Sequence, residues 1–346
     1  MKSILFTGAT GFIGSAVLAR LLKDERCPKI FLLVRRKPSQ TDSLLALRFK
    51  EHNLGPKVWE RLEWVEADFE DAEKFRAALA SLPKAESWRV LHLAAIVNSK
   101  GDARTQERLN VGVTSDLLDW ANAKARKFTY LSSVVAFGAT RGSELRSEKD
   151  FGRFDPINKH FSYNTTKREA HKYVLEHCKI AGEVLCPSVV HGSLEGQKDS
   201  RGHLKALREG KLNFAPKGGA NFVSLDKVAR AAVESVLEEN LVPSADALVR
   251  TRLVVDENLT FTEYFRRYLH LYRPDAELPQ FLPVPRFLTR AALGLETLLK
   301  PFGFYSRMLN SLGQSGLYYW FKSERPIDGG ASFDEAVKQS LLNPGA

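Results

Sequence analysis

Tyr163 and Lys167 stand four residues apart in Ser-Tyr-Asn-Thr-Thr-Lys, a spacing that puts both side chains on one face of a helix. A phenol in isolation ionises near ~10, and an ammonium beside it stabilises the anion and lowers that value. A phenol so placed can exchange a proton with a carbonyl or alcohol oxygen near neutral pH. Such a pair arises often by chance on surface helices. Here it follows a short apolar run that ends in Ser132-Ser133, and ligands of open α/β sheets gather at the carboxyl ends of strands.

A second cluster opens the chain. Thr7-Gly8-Ala9-Thr10-Gly11-Phe12-Ile13-Gly14 joins a strand-like run to a helical pattern. A turn from a strand into a helix N-terminus presents unpaired backbone N–H groups, and the helix dipole adds partial positive charge. Gly8, Thr10, Gly11, Phe12, Ile13 and Gly14 are therefore candidates for holding a dinucleotide pyrophosphate. The second strand ends in Val34-Arg35-Arg36-Lys37, with no acid. A carboxylate there would hold a ribose 2′-hydroxyl, whereas Arg35 and Arg36 suit a 2′-phosphate. NADP(H) is the expected cofactor. Asp68, after the third strand, is placed to meet the adenine edge, or is an ordinary strand-end acid.

These groups need a scaffold that brings strand ends together. Strand-like runs over Lys2–Thr7, Lys29–Val34, Leu62–Glu66, Arg89–Leu93, Lys127–Ser132 and Glu183–Cys186 alternate with helical patterns. The helical stretches are Phe12–Lys23, Thr41–Asn53, Glu70–Ser81, Ala103–Lys124 and His160–Ile180. Alternation of this kind predicts an α/β fold, a doubly wound parallel sheet with helices on both faces. Past Pro187 the pattern loosens: a polar loop over Ser193–Gly202, an amphipathic helix over Ser224–Glu239, a strand near Leu248–Val255 and a helix near Thr262–Leu271. The expected division is a dinucleotide-binding Rossmann domain over 1–188, with 222–255 returning to it. Residues 189–221 and 256–346 then form a smaller substrate-binding subdomain.

Composition narrows the function further. The 346 residues are 44% hydrophobic and 27% charged, ordinary proportions that exclude disorder as the main state. No apolar run approaches a membrane span, and the start of the chain lacks room for a signal peptide before Gly8. Three cysteines, Cys27, Cys178 and Cys186, suggest neither a disulfide framework nor a zinc site. A reducing cytoplasm is the expected home. His92, His160, His171, His177 and His191 lack metal-ligand spacing, so no metal is expected. The net charge of +10 suits an anionic ligand, but it is spread along the chain without a nucleic-acid-binding motif, and no nucleic acid is expected. Phe302, Phe304, Tyr305, Tyr318, Tyr319, Trp320 and Phe321 crowd the final part. They read as the core of a small C-terminal domain, or else as an apolar tunnel or a weakly membrane-resting face helped by Arg286, Arg290, Lys300 and Arg307.

Taken together, the motifs resemble those of the extended short-chain dehydrogenase/reductases, most firmly over residues 1–240. The matching pieces are Thr7–Gly14, Asp68, His92-Leu93-Ala94-Ala95, Asn110 in Asn-Val-Gly-Val-Thr, Ser132-Ser133 before Phe137-Gly138, Tyr163 with Lys167, and Pro187-Ser188-Val189-Val190-His191-Gly192. The resemblance implies that Ser133 (or Ser132, one residue earlier) orients the reacting oxygen and Tyr163 is the acid/base. It implies that Lys167 holds the nicotinamide ribose and tunes Tyr163, and that Asn110 supports a proton-relay water. Phe69, Ala94, Ala95, Pro187 and Val189 join the cofactor site by the same resemblance. It also suggests a homodimer.

Departures from the family pattern point to the substrate. Members acting on nucleotide sugars often show Arg-Pro where this chain has Cys186-Pro187, and Tyr where it has Phe137 and His191. The run Leu32–Lys37 with its inserted helix, and His92–Asn98, are similar to the thioester and fatty acyl-CoA reductase branch. Phe281-Leu282-Pro283-Val284-Pro285-Arg286-Phe287-Leu288 resembles the sterol and flavonol reductase-like branch instead. Both favour a hydrophobic small-molecule substrate and an NADP(H)-dependent oxidoreductase. A nucleotide-sugar epimerase or dehydratase is the alternative enzyme. A non-catalytic dinucleotide-binding protein is the alternative outside enzymes.

Overall fold

The computed structural model describes residues 2–97, 102–140, 142, 144–153, 161–195, 202–239, 248–299 and 312–342. Asn98, His160, Lys300, Phe302, Phe304, Tyr305, Arg307 and residues 196–201 of the expected loop lie outside the described residues. Strands β1 (Lys2–Thr7), β2 (Lys29–Val34), β3 (Leu62–Glu66), β4 (Ser87–His92), β5 (Ala125–Leu131) and β6 (Ala181–Pro187) follow one another along the chain. Short strands β7 (Val189–His191), β8 (Phe214–Pro216) and β9 (Gly219–Ser224) come next, before β10 (Val249–Val254). The main sheet runs β10-β6-β5-β4-β1-β2-β3, and its neighbouring strands are parallel throughout. This is the doubly wound α/β sheet.

Parallel strands covered on both faces are apolar on both faces. In β1, Ile4 and Phe6 point into one core and Leu5 into the other. Helix α1 (Phe12–Lys23) belongs to the first core. So does α2 (Leu44–Glu51), whose start is fixed by the Ser43 side chain accepting from Ala46 N. Helix α3 (Ala72–Ala80) packs on the opposite face. It begins two residues later than its sequence pattern suggests, because the Asp71 carboxylate accepts from the amides of Glu73 and Lys74. The long helix expected over Ala103–Lys124 is interrupted: α4 (Ala103–Glu107) passes through a π-turn, Arg108–Gly112, into α5 (Val113–Lys124). Such π-turns collect at functional sites. Helix α6 (Ser162–His177) carries the Tyr-x-x-x-Lys pair.

Beyond β6 the chain divides between the main sheet, which β10 joins, and smaller sheets. After α7 (Gly202–Arg208), helix α8 (Leu225–Leu237) returns to the first core, where its Val228, Ala232 and Val236 share a cluster with Val17 and Leu21 of α1. Strand β11 (Glu257–Thr260) leads into α9 (Phe261–Tyr272), then β12 (Leu282–Val284), α10 (Arg286–Leu299) and β13 (Tyr318–Tyr319). A small sheet, β11-β9-β13 with β7 also on β9, carries a separate aromatic cluster of Phe222, Tyr264, Phe265, Tyr268 and Phe333. Isolated bridges Thr140↔Tyr318 and Arg146↔Phe321 tie it to the loop after β5. Tyr319 and Phe321 are core residues there. Among the described residues no helix is long and apolar enough to cross a membrane.

The amino end of the sheet is closed by a cation. Buried Arg89 of β4 donates to Val236 O and Leu237 O, both at 2.9 Å, and to Glu239 at 3.0 Å. Those are the last carbonyls of α8, where positive charge is favoured. Replacing Arg89 by Met should therefore lower stability by about 2 kcal/mol. Urea unfolding with an unchanged m-value and a lower midpoint is the expected reading; an unchanged midpoint contradicts it.

Candidate active site

The turn after β1 is built around a backbone contact that admits no side chain. Gly8 adopts φ +84°, and a Cβ there would sit 2.5 Å from the amide nitrogen of Ala94. A Cβ on Gly14 would overlap the Gly8 carbonyl oxygen. The chain then enters α1 with Gly11 as N-cap and no side-chain hydrogen bond closing that end. The first-turn amides of Phe12 and Ile13 are thus left to an anion, as a pyrophosphate requires.

Register places the next groups. Thr7 pairs with His92 across β1 and β4, so Ala94 and Ala95 follow directly beside the turn. Ala94 N donates to Thr7 Oγ1 at 3.4 Å. Asn110, in the π-turn, is buried, and its amide donates to Ile96 O (2.9 Å) and Thr166 Oγ1 (3.1 Å) while its oxygen accepts from Ile96 N (2.8 Å). Its side chain therefore braces the segment after β4 against α6.

Ser133 and Tyr163 meet. The Ser133 hydroxyl accepts from Val135 N at 3.4 Å and lies 3.5 Å from Pro187 O, and it is near enough to the Tyr163 phenol to act on its ionisation. Ser132 turns the other way, 3.3 Å from His171 Nδ1 in the core. The geometry thus separates the two serines. Lys167 is buried and donates to Leu131 O at 2.7 Å and to the Tyr130 hydroxyl at 3.0 Å. One expectation is corrected here. The Tyr163 phenol is not lowered by Lys167; burial pushes it up to about 12, with the Ser133 hydrogen bond pulling the other way. The ammonium is engaged by Tyr130 instead, and burial lowers Lys167 to about 7.

On the adenine side, Arg35 and Arg36 are exposed after β2 and, among the described residues, neither is in an ion pair. Asp68 is exposed, and its carboxylate accepts from Glu70 N (3.0 Å) and Asp71 N (3.3 Å), so it closes its own turn. The Phe69 ring packs on Phe75 in the core, 5.0 Å between centroids. Pro187 and Val189 lie at the junction of β6 and β7, across from Ser133.

The structure adds residues that the motifs do not reveal. The Ser188 hydroxyl is buried without a hydrogen-bond partner, an orphan polar atom beside the site. Together with the side-chain-free turn, it fits a bound dinucleotide. Asn164, next to Tyr163, donates to the Tyr319 hydroxyl at 3.2 Å, so the C-terminal aromatic segment abuts the Tyr163 helix. His191, buried, bridges Glu195 and the Tyr264 hydroxyl, both at 3.0 Å. No described group of His, Cys, Asp and Glu could hold a metal.

A family model described as Male sterility protein matches residues 6–232. The chain is 34% identical over 155 residues to human fatty acyl-CoA reductase 1, a match covering 39% of this chain and 28% of that protein. It is 27% identical over 253 residues to the polyketide synthase-nonribosomal peptide synthetase ffsA of Aspergillus flavipes, covering 70% of this chain and 6% of that protein. The chain thus spans only a minor part of either relative. In fold it resembles the Bordetella bronchiseptica enzyme WbmH, solved with NAD+, at a TM-score of 0.64 and 17% identity over 99% of this chain and 97% of that one.

A methyl group on Gly14 tests the turn. Gly14→Ala should weaken NADPH and NADH alike by at least about tenfold, because close backbone approach is lost. Fluorescence titration checks this, and unchanged affinity for both contradicts it.

Proposed function

Since the chain belongs to the Male sterility protein family, within the extended short-chain dehydrogenase/reductases, we propose that it is an NADP(H)-dependent reductase of a carbonyl in a hydrophobic substrate, an acyl thioester first among them. The observation that carries this reading is Ser133 at the carboxyl end of β5, 3.5 Å from Pro187 O, with Tyr163 and buried Lys167 on α6, at the same sheet edge as the glycine turn. When bound, the nicotinamide supplies the hydride.

The protein's own groups handle the proton. Tyr163, held high by burial, is a neutral donor at physiological pH and passes its proton to the oxygen of the reacting carbonyl. Ser133 orients the phenol and offers a second donor to that oxygen. The Lys167 ammonium, held by Leu131 O and Tyr130, would in its charged form hold the nicotinamide ribose, as the family resemblance implies. Arg35 and Arg36, exposed after β2 and in no ion pair among the described residues, suit the 2′-phosphate of NADPH. The acyl reading draws on the likeness to fatty acyl-CoA reductase 1 and on Phe137 and Cys186-Pro187, which depart from the nucleotide-sugar pattern.

NADPH oxidation with a long-chain acyl-CoA tests the proposal, with Tyr163→Phe as control. The variant should lose about 100-fold or more in turnover and keep NADPH affinity within about threefold. Equal turnover in both proteins contradicts the role of Tyr163; turnover only on hydrophobic ketones replaces the thioester. Arg35→Ala should weaken NADPH by about tenfold while leaving NADH nearly unchanged, and equal losses contradict the 2′-phosphate role. Reductive turnover should fall as pH rises through about 7, since Lys167 loses its proton there. A flat profile between about pH 5.5 and 8.5 contradicts it.

A further inference from the structure

Lys167 lies beside a buried hydrogen-bonded chain that begins at the cofactor turn. Thr7 Oγ1 lies 2.6 Å from His92 Nδ1, and His92 Nε2 lies 2.9 Å from Thr114 Oγ1. Thr114 donates to Asn110 O at 2.7 Å. The Tyr130 hydroxyl then meets Lys167 Nζ at 3.0 Å. The His92 ring stacks on Tyr130, 5.4 Å between centroids at 22°.

Donor accounting fixes the direction of every link. A carbonyl only accepts, so the Thr114 proton goes to Asn110 O. His92 is neutral, because burial lowers it to about 3. With the Thr114 proton committed, His92 must donate through Nε2, and Nδ1 accepts from Thr7. An ammonium only donates, so the Tyr130 oxygen and Leu131 O accept two of the Lys167 protons.

We propose that Tyr130, held against the stacked His92 ring, is the positioning residue that sets the place and the protonation of the Lys167 ammonium. Its consequence for turnover rests on the hydride-transfer reading above; the coupling itself does not. The titratable groups that face Lys167 are Tyr130 from β5, His92 from β4, Cys186 from β6, and Tyr163 and His171 from its own helix. No carboxylate stands among these groups. The Tyr130 oxygen is thus a principal polar group favouring the charged amine, alongside Leu131 O.

The test is a pH titration of the intact protein labelled with ζ-15N-lysine, read by NMR, with Lys167→Arg identifying the resonance. Tyr130→Phe keeps the ring and removes the acceptor, and should lower the Lys167 midpoint by about one unit. Tyr130→Leu removes the ring and the acceptor together and should shift it in the same direction; it carries the test if Tyr130→Phe does not fold. An unchanged midpoint in a folded Tyr130→Phe or Tyr130→Leu protein overturns the proposal. The shift together with a wild-type protein inactive on every carbonyl substrate supports the coupling and contradicts the proposed function instead.

Discussion

Everything at this site depends on how closely three pieces of backbone approach at the carboxyl end of β1. Gly8, Gly14 and Ala94 meet with no room for a Cβ on either glycine. That contact sets where α1 begins and points its free amides across the sheet edge. Through the β1–β4 register it also places Thr7 against His92. The binding turn and the buried polar chain beside Lys167 therefore share one anchor.

The second constraint is dielectric. Tyr163 and Lys167 are both perturbed by burial, in opposite senses: the phenol is held neutral and the amine is made easier to deprotonate. Neither effect needs a neighbouring acid. A site tuned this way keeps a proton donor ready and leaves its cation responsive to pH near neutrality. Cys186 fits the same picture, since burial pushes its thiol up and keeps it uncharged beside Lys167.

Much of the sheet was legible because parallel strands buried on both faces are written as short apolar runs, and β1, β2 and β3 fall where those runs predict. The glycine turn was legible for a similar reason, since its spacing follows from sterics. Strand and helix ends were less so: Asp71 and Ser43 set the starts of α3 and α2 by local capping, which apolar periodicity does not register. The π-turn at Arg108–Gly112 was invisible in an otherwise helical pattern. So was the partner of Lys167. Tyr130 looks like one more core aromatic in β5, and only the fold shows that its hydroxyl meets the ammonium. The small sheet around β9 escaped because its strands are short and pair across long chain separations. The opposite inference from spacing, that Lys167 would lower Tyr163, failed because a shared helix face does not decide which neighbour the amine bonds.

The central claim is that the glycine turn, Arg35 and Arg36, and the Ser133–Tyr163–Lys167 cluster serve one bound molecule. A crystal structure of the protein with NADP+ tests it most directly. The account predicts the 2′-phosphate against Arg35 and Arg36, the pyrophosphate on the amides of Phe12 and Ile13, and the nicotinamide ring beside the Tyr163 hydroxyl. A nicotinamide lying away from Tyr163, or a 2′-phosphate facing solvent with both arginines turned aside, would contradict it.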